Sequence, residues 1–185
     1  MSEEILNEAE KKMRQAVQHA KDEVAKIRTG RANPGLIADL PVEYYGTKTP
    51  LQQLAGVSVP EPRVLLVNPF DQSALKEIEK AITNADLGLN PNNDGKVIRV
   101  VFPELTEERR KQYVRLVRER AEEGRVAVRN VRRQAKSELG TLVNEGDLPE
   151  DEHQRLEKRL QGLTDKYVGE IDQVAQNKEQ ELLEV

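Results

Sequence analysis

The chain has 185 residues, enough for one ordinary domain or two small ones. Charged residues make up 34% and aromatic residues only 3%, so its core must be largely aliphatic, a balance that suits long helices with wet outer faces. There is no cysteine, which excludes disulfides, thiolate metal sites and thiol nucleophiles. The opening Met1-Ser2-Glu3-Glu4-Ile5 is acidic where a secretory signal would be basic, and no apolar run approaches the roughly 18 residues of a membrane span. A cytoplasmic protein without a membrane partner is expected. The net charge of −4 conceals a separation: residues 109–136 hold eleven Lys/Arg against three Glu. A polyanion meets that local excess before it meets the average.

In chain order, Ile5, Ala9, Met13, Ala16, Ala20, Val24 and Ile27 recur at spacings of three and four and predict a first helix. It should stop at Thr29-Gly30, with Gly30 in a left-handed C-terminal turn. Between Gly30 and Pro103 the character changes. Eight of the nine prolines fall at Pro34 to Pro103, and strand-like runs appear at 42–45, 57–59, 63–67 and 97–102. One amphipathic helix fits 72–85, with Leu75, Ile78, Ala81 and Ile82 inward.

A second long helix follows Pro103. Thr106 is its expected N-cap, and Glu107 and Glu108 suit the positive end of the dipole. Its apolar line is Val114, Val117, Ala121, Gly124, Val128, Val131, Ala135, Leu139 and Leu142, reaching about Glu145. Gly124 has no evident reason there and costs about 1 kcal/mol against alanine. Asn144-Glu145-Gly146-Asp147 makes a turn, and Asp147 with Glu150 resembles a capping box, with Pro149 in the first turn. The third helix carries Leu156, Leu160, Leu163, Tyr167, Ile171, Val174 and Leu182.

No helix can bury its stripe alone, and a short turn makes the second and third antiparallel. The expected fold is α+β: a long antiparallel three-helix bundle from residues 1–30 and 105–185, with a small β/α/β domain, 31–104, inserted into it. Two adjacent connections, Gly30-Arg31-Ala32 and Pro103-Glu104-Leu105, would permit a hinge between them.

The strongest constellation lies on the second helix. Lys111, Arg115, Arg118, Glu122, Arg125, Arg129, Arg132 and Lys136 follow helical spacing, rotated about 100° from the core line and running more than about 30 Å. Arginine predominates, which favours bidentate phosphate contact. The bland alternative is a solvated face balanced by acidic neighbours, but the local excess of charge favours RNA or another polyanion. Few aromatics interleave, so a rigid rod reading backbone shape in folded RNA fits better than base stacking. Arg28, Arg31 and Arg110 form a second cluster at the chain junctions; Arg110 is equally readable as a structural partner.

The remaining candidates are bland. His19 and His153 lack ligand spacing and read as helix-surface residues, and Asn92-Asn93-Asp94-Gly95 reads as turn chemistry rather than a calcium loop. No phosphate-binding glycine motif is present, Ser73 and Ser137 have no evident base, and no metal or cofactor is expected. Catalysis has no candidate.

Several segments together carry a resemblance: Arg28-Thr29-Gly30-Arg31-Ala32, Pro41-Val42-Glu43-Tyr44-Tyr45-Gly46, Thr49-Pro50-Leu51, Asp86-Leu87-Gly88-Leu89-Asn90-Pro91-Asn92, Leu105-Thr106-Glu107-Glu108-Arg109-Arg110-Lys111 and residues 125–133. In order and across essentially the whole chain, they resemble the bacterial ribosome recycling factors. The resemblance implies an L-shaped, tRNA-like arrangement of a bundle and a small hinged domain. It implies a monomer bound between the subunits of a post-termination ribosome, its bundle on large-subunit ribosomal RNA. Elongation factor G, the partner that carries GTP, would then drive subunit splitting. The family's RNA-contacting positions correspond to Arg28, Arg31, Arg110, Arg129, Arg132 and Arg133. Arg129 and Arg132 fall on the stripe derived above; Arg133 rests on the resemblance. Two rivals remain: a helical adaptor, which needs an exposed apolar seam, and a nucleic-acid enzyme, which needs metal ligands the sequence does not offer.

Overall fold

A threonine hydroxyl starts the longest helix. Thr106 Oγ1 accepts from Arg109 N at 3.1 Å, its carbonyl accepts from Arg110 N at 2.9 Å, and the helix runs from Glu107 to Asn144. In the computed structural model, which describes residues 1–184, the elements in chain order are α1 (Ser2–Ala25), β1 (Pro41–Tyr44), β2 (Thr47–Pro50), the single turn α2 (Leu51–Leu54), β3 (Ala55–Glu61), β4 (Val64–Pro69), α3 (Leu75–Asn84), β5 (Asn90–Asn93), β6 (Ile98–Val101), α4 (Glu107–Asn144) and α5 (Glu150–Leu183). They form two compact units. The first is 1–27 with 112–180; the second is 28–111 with the C-terminal residues from Glu181.

The first unit is α1 with most of α4 and α5. At about 1.5 Å per residue, α4 is about 57 Å long. Its C-terminus closes as a Schellman turn: Gly146, at φ 78°, donates to Val143 O, and Asp147 N donates to Leu142 O. α5 then begins with Pro149 O accepting from His153 N. The expected capping role of Asp147 is not realised, since its backbone finishes α4 and its side chain makes no bond to α5.

Two further expectations need correction. Leu6 and Val17 are buried where Ile5 and Ala16 were expected, a shift of one position within the same stripe. α1 also ends at Ala25, with Lys26 still right-handed, and Gly30 does not adopt a left-handed backbone. On α5 the buried line runs through Leu156, Leu160, Thr164, Tyr167, Ile171 and Ala175; Thr164 satisfies its hydroxyl on Leu160 O at 2.9 Å.

Gly124 has a steric reason. A Cβ there would lie 2.9 Å from Ala20 Cβ on α1 and 3.1 Å from Ile171 Cδ1 on α5. Glycine lets three helices meet at this level.

The second unit has a four-stranded antiparallel sheet, ordered β3-β4-β6-β5, and a separate β1-β2 hairpin. Leu65, Val67, Ile98 and Val100 point from the sheet into a core completed by Ile78 and Ile82 of α3, Val42 of β1, Leu51 and Phe102. Two strands, β5 and β2, escaped the sequence reading, while β1 matches the run expected at 42–45. β5 contains Pro91 and asparagines, a composition that a sheet tolerates at an edge, where β5 lies. β1 and β2 join through Tyr45 (φ 48°) and Gly46 (φ 77°), two consecutive left-handed residues, as a type I′ turn demands.

Gly124→Ala tests the packing directly. Helix propensity alone would stabilise it by about 1 kcal/mol, whereas overpacking costs about 1–3 kcal/mol. A lower urea midpoint at unchanged m is expected; a higher midpoint would show that α4 does not approach its neighbours this closely.

Candidate nucleic-acid interface

The basic flank of α4 is built by its register against α5. Arg118 Nε lies 2.8 Å from Glu179, Arg125 Nε 2.6 Å from Asp172, Arg132 Nη1 3.2 Å from Gln161 Oε1 and Lys136 Nζ 3.9 Å from Glu157. Ascending positions on one helix meet descending positions on the other, as antiparallel packing requires. Within α4, Glu122 accepts from Arg125 at 3.1 Å and from Arg129 at 3.2 Å. These two hydrogen bonds, Arg125's first, hold the Glu122 carboxyl below the usual carboxylate range, so it stays ionised at neutral pH.

The stripe is therefore less bare than helical spacing suggests. Arg125, Arg129 and Arg132 are half-buried, while Lys111, Arg115, Arg118, Arg133 and Lys136 are exposed. Acidic groups of α5 supply partners that the charge count of α4 alone leaves out. Arg132 differs from Arg118 and Arg125, because its partner across the helix pair is a neutral amide, not a carboxylate. Arg115 has no partner among the described residues, and Arg133 donates to Asn130 Oδ1 at 3.1 Å. Surface ion pairs are worth about 0–1 kcal/mol, whereas a charge-assisted contact to phosphate is worth about 1.5–3 kcal/mol. The pairs thus orient the guanidinium groups without holding them from a stronger anion.

At one end of this flank an open cleft of about 510 Å³ is lined by Arg132, Arg133, Lys136 and Lys158, with Glu157 as the carboxylate in its lining. Lys158 on α5 was not anticipated. Neither were Gln161, Asp172 and Glu179, because pairing across two helices depends on a register that single-helix periodicity does not contain.

The junction candidates sit in the second unit. Arg28 Nη2 donates to Pro103 O at 2.5 Å, and its guanidinium stands 5.9 Å from the Phe102 ring centroid. Arg31 pairs with Glu184 at 2.6 Å. Arg110 is half-buried, with its Nε enclosed and lacking a partner, and Lys111 lies 3.6 Å from Glu107. The junction residues are tied in place: Ala32 N donates to Pro62 O at 2.7 Å, and Glu104 pairs with Arg63 at 3.2 Å. Gly30 and Leu105 are partly buried. The Asn93-Asp94-Gly95 segment is a turn, its side-chain oxygens occupied by Gly95 N, Lys96 N and Val97 N. His153 lies 3.6 Å from Glu150 and 3.4 Å from Glu157. Among the described residues no three His, Cys, Asp or Glu side chains gather as metal ligands, and no helix is long and apolar enough to cross a membrane.

Comparison with known proteins gives the family. Residues 20–183 match the family described as ribosome recycling factor. The chain is 56% identical over 185 residues to the ribosome-recycling factor of Renibacterium salmoninarum, and 56% identical to that of Thermobifida fusca; both alignments cover 100% of each chain. A solution structure of a ribosome recycling factor superposes with a TM-score of 0.84 at 48% identity, over 100% of this chain and 98% of that one. A second match, 49% identical with a TM-score of 0.72 and 100% coverage of both chains, is the T. thermophilus ribosome recycling factor, from models of that factor and E. coli elongation factor G bound to the E. coli post-termination complex.

Glu122→Gln removes the carboxylate shared by Arg125 and Arg129. Binding to duplex RNA at low salt should tighten by roughly two- to five-fold, with a steeper salt dependence, in a fluorescence anisotropy titration. Unchanged affinity and slope would place these two arginines outside the interface.

Proposed function

We propose that this chain, which belongs to the ribosome recycling factor family, binds the post-termination ribosome through the basic flank of α4 and, with elongation factor G, promotes separation of the subunits. It is a translation factor and not an enzyme. Its place of work is the bacterial cytoplasm, as a monomer on the large subunit and its ribosomal RNA. The observation that carries the reading is a line of cations more than about 30 Å long whose protein partners release them at low cost. Such a rod suits the phosphates of folded RNA, whose sequence it need not read.

In this mechanism the chain contributes position and stiffness. Arg129, Arg132 and Arg133 hold the helical unit on RNA, with Lys111, Arg115, Arg118, Arg125 and Lys136 extending the contact. Arg28, Arg31 and Arg110 contribute from the second unit. GTP chemistry belongs to elongation factor G, and the small domain, residues 31–104, transmits its push. The pivot would lie at Gly30, Arg31 and Ala32 on one connection and at Pro103, Glu104 and Leu105 on the other. The backbone bond from Ala32 to Pro62 supports it, since it fixes that connection to the small domain, although the compact units divide a few residues outside it, at 27/28 and 111/112.

Arg132→Ala should weaken large-subunit binding roughly ten-fold or more, and Arg129→Ala somewhat less because Glu122 already shares its charge. Circular dichroism and melting temperature should stay as in the parent. Undiminished binding by the double variant would remove the flank from the interface, and lost helicity would make the effect structural. The pivot has its own test. A reducible disulfide engineered between the two units, in a chain with no cysteine of its own, should preserve binding and stop splitting until reduced. Normal splitting by the locked protein would make the movement incidental.

A further inference from the structure

The open cleft between α4 and α5 is lined by four cations, Arg132, Arg133, Lys136 and Lys158, and by one carboxylate, Glu157. What surrounds that carboxylate decides how much positive charge an anion meets there. Glu157 Oε1 lies 3.9 Å from Lys136 Nζ and 3.4 Å from His153 Nε2. One oxygen thus stands between a permanent cation and an imidazole.

His153 is placed so that its proton count matters. Only 15% of its side chain is exposed, and both ring nitrogens are enclosed without a hydrogen bond. Nδ1 faces Glu150 Oε1 at 3.6 Å, while Nε2 faces Glu157. A neutral imidazole has one N–H and one lone pair, so in either tautomer a lone pair is left facing a carboxylate. An imidazolium has two N–H donors and serves both carboxylates at once. Glu150 and Glu157 belong to α5, as His153 does. Across the helix pair, Lys136 of α4 is the charged group that meets Glu157, and among the described residues no ion pair joins His153 to α1. Histidine is the side chain whose ordinary titration falls within the pH range of cells.

We propose that His153 regulates the RNA affinity of the α4–α5 cleft by drawing Glu157 away from Lys136 when the imidazole takes up a proton. The proposal rests on the RNA-binding role read above for the basic flank and adds a control to that same site. With His153 neutral, the Glu157 carboxylate offsets Lys136. With His153 protonated, the imidazolium matches Glu157, Lys136 is released to meet a phosphate, and the cleft gains one positive charge. Contact with phosphates turns a gain of charge into both affinity and salt dependence. His153 itself touches no phosphate; it is a positioning residue that acts through Glu157.

The test is a fluorescence anisotropy titration with duplex RNA at about pH 8 and about pH 6, at fixed ionic strength. The parent should bind roughly two- to five-fold tighter at the lower pH, the scale of one surface ion pair, with a steeper salt dependence. His153→Gln should match the parent at the higher pH and gain nothing at the lower. Glu157→Gln should bind at the higher pH as tightly as the parent does at the lower. An equal response to pH in the parent and in His153→Gln would overturn the proposal, as would a parent with one affinity at both pH values. Circular dichroism checks the fold of each variant. Should His153→Gln lose helicity, Glu157→Gln decides alone, and no gain by it at the higher pH would overturn the proposal. Failure of the parent to bind RNA at either pH, or binding that Arg132→Ala leaves intact, would instead sink the functional reading itself.

Discussion

Close approach of three helices at Gly124 sets the register on which the rest of the helical unit depends. With Ala20 Cβ and Ile171 Cδ1 at the contact distances of a missing methyl group, α4 can slide neither toward α1 nor along α5 without a clash or a void. That register brings Arg118 to Glu179, Arg125 to Asp172 and Arg132 to Gln161. A slip of one turn would move each guanidinium about 5.4 Å from its partner. Packing inside the bundle thereby determines the spacing of charge outside it.

A protein of net charge −4 can bind a polyanion because its charges are segregated and exchangeable. Carboxylates of α5 order Arg118 and Arg125 of α4, and a guanidinium already ordered would lose less freedom on meeting a phosphate. The pairs of Arg118 and Lys136 are exposed and weak, while Arg125, half-buried between Glu122 and Asp172, is held more firmly. Gln161 orients Arg132, and Asn130 orients Arg133, without neutralising either. The second unit offers different chemistry at Tyr45 and Phe70, where exposed rings accompany a carboxylate.

Local rules were readable in the sequence and cross-element rules were not. Thr106 caps α4 as its position before Glu107 and Glu108 suggests, because an N-cap bond closes within three residues. α3, the antiparallel α4–α5 pair and the turn at Asn93-Asp94-Gly95 follow from spacing and composition alike. The apolar line of α1 was found one residue off, at Ile5 and Ala16 rather than Leu6 and Val17, because a stripe of small residues leaves the azimuth loosely defined. Gly30 looked like a helix terminator, yet α1 ends at Ala25 without it. Gly124 had no explanation until α1 and α5 were beside it. The tyrosine in a turn that favours asparagine hid the β1-β2 hairpin, and Pro91 hid β5. The α5 partners of the arginine stripe lay 29 to 61 residues away in sequence, beyond any single-helix pattern.

The central claim is that phosphate contacts along α4 carry the binding. The most direct measurement is the affinity of the unaltered protein for large ribosomal subunits across a salt series. Each phosphate neutralised contributes a slope of about 0.7–0.9 in log K against log salt. The geometry predicts a steep fall, with a slope of about −3 or beyond, as the arginine flank exchanges its carboxylates for phosphates. A slope near zero, at an affinity that holds through high salt, would mean that apolar contact carries the complex and that the flank of α4 is only a solvated face.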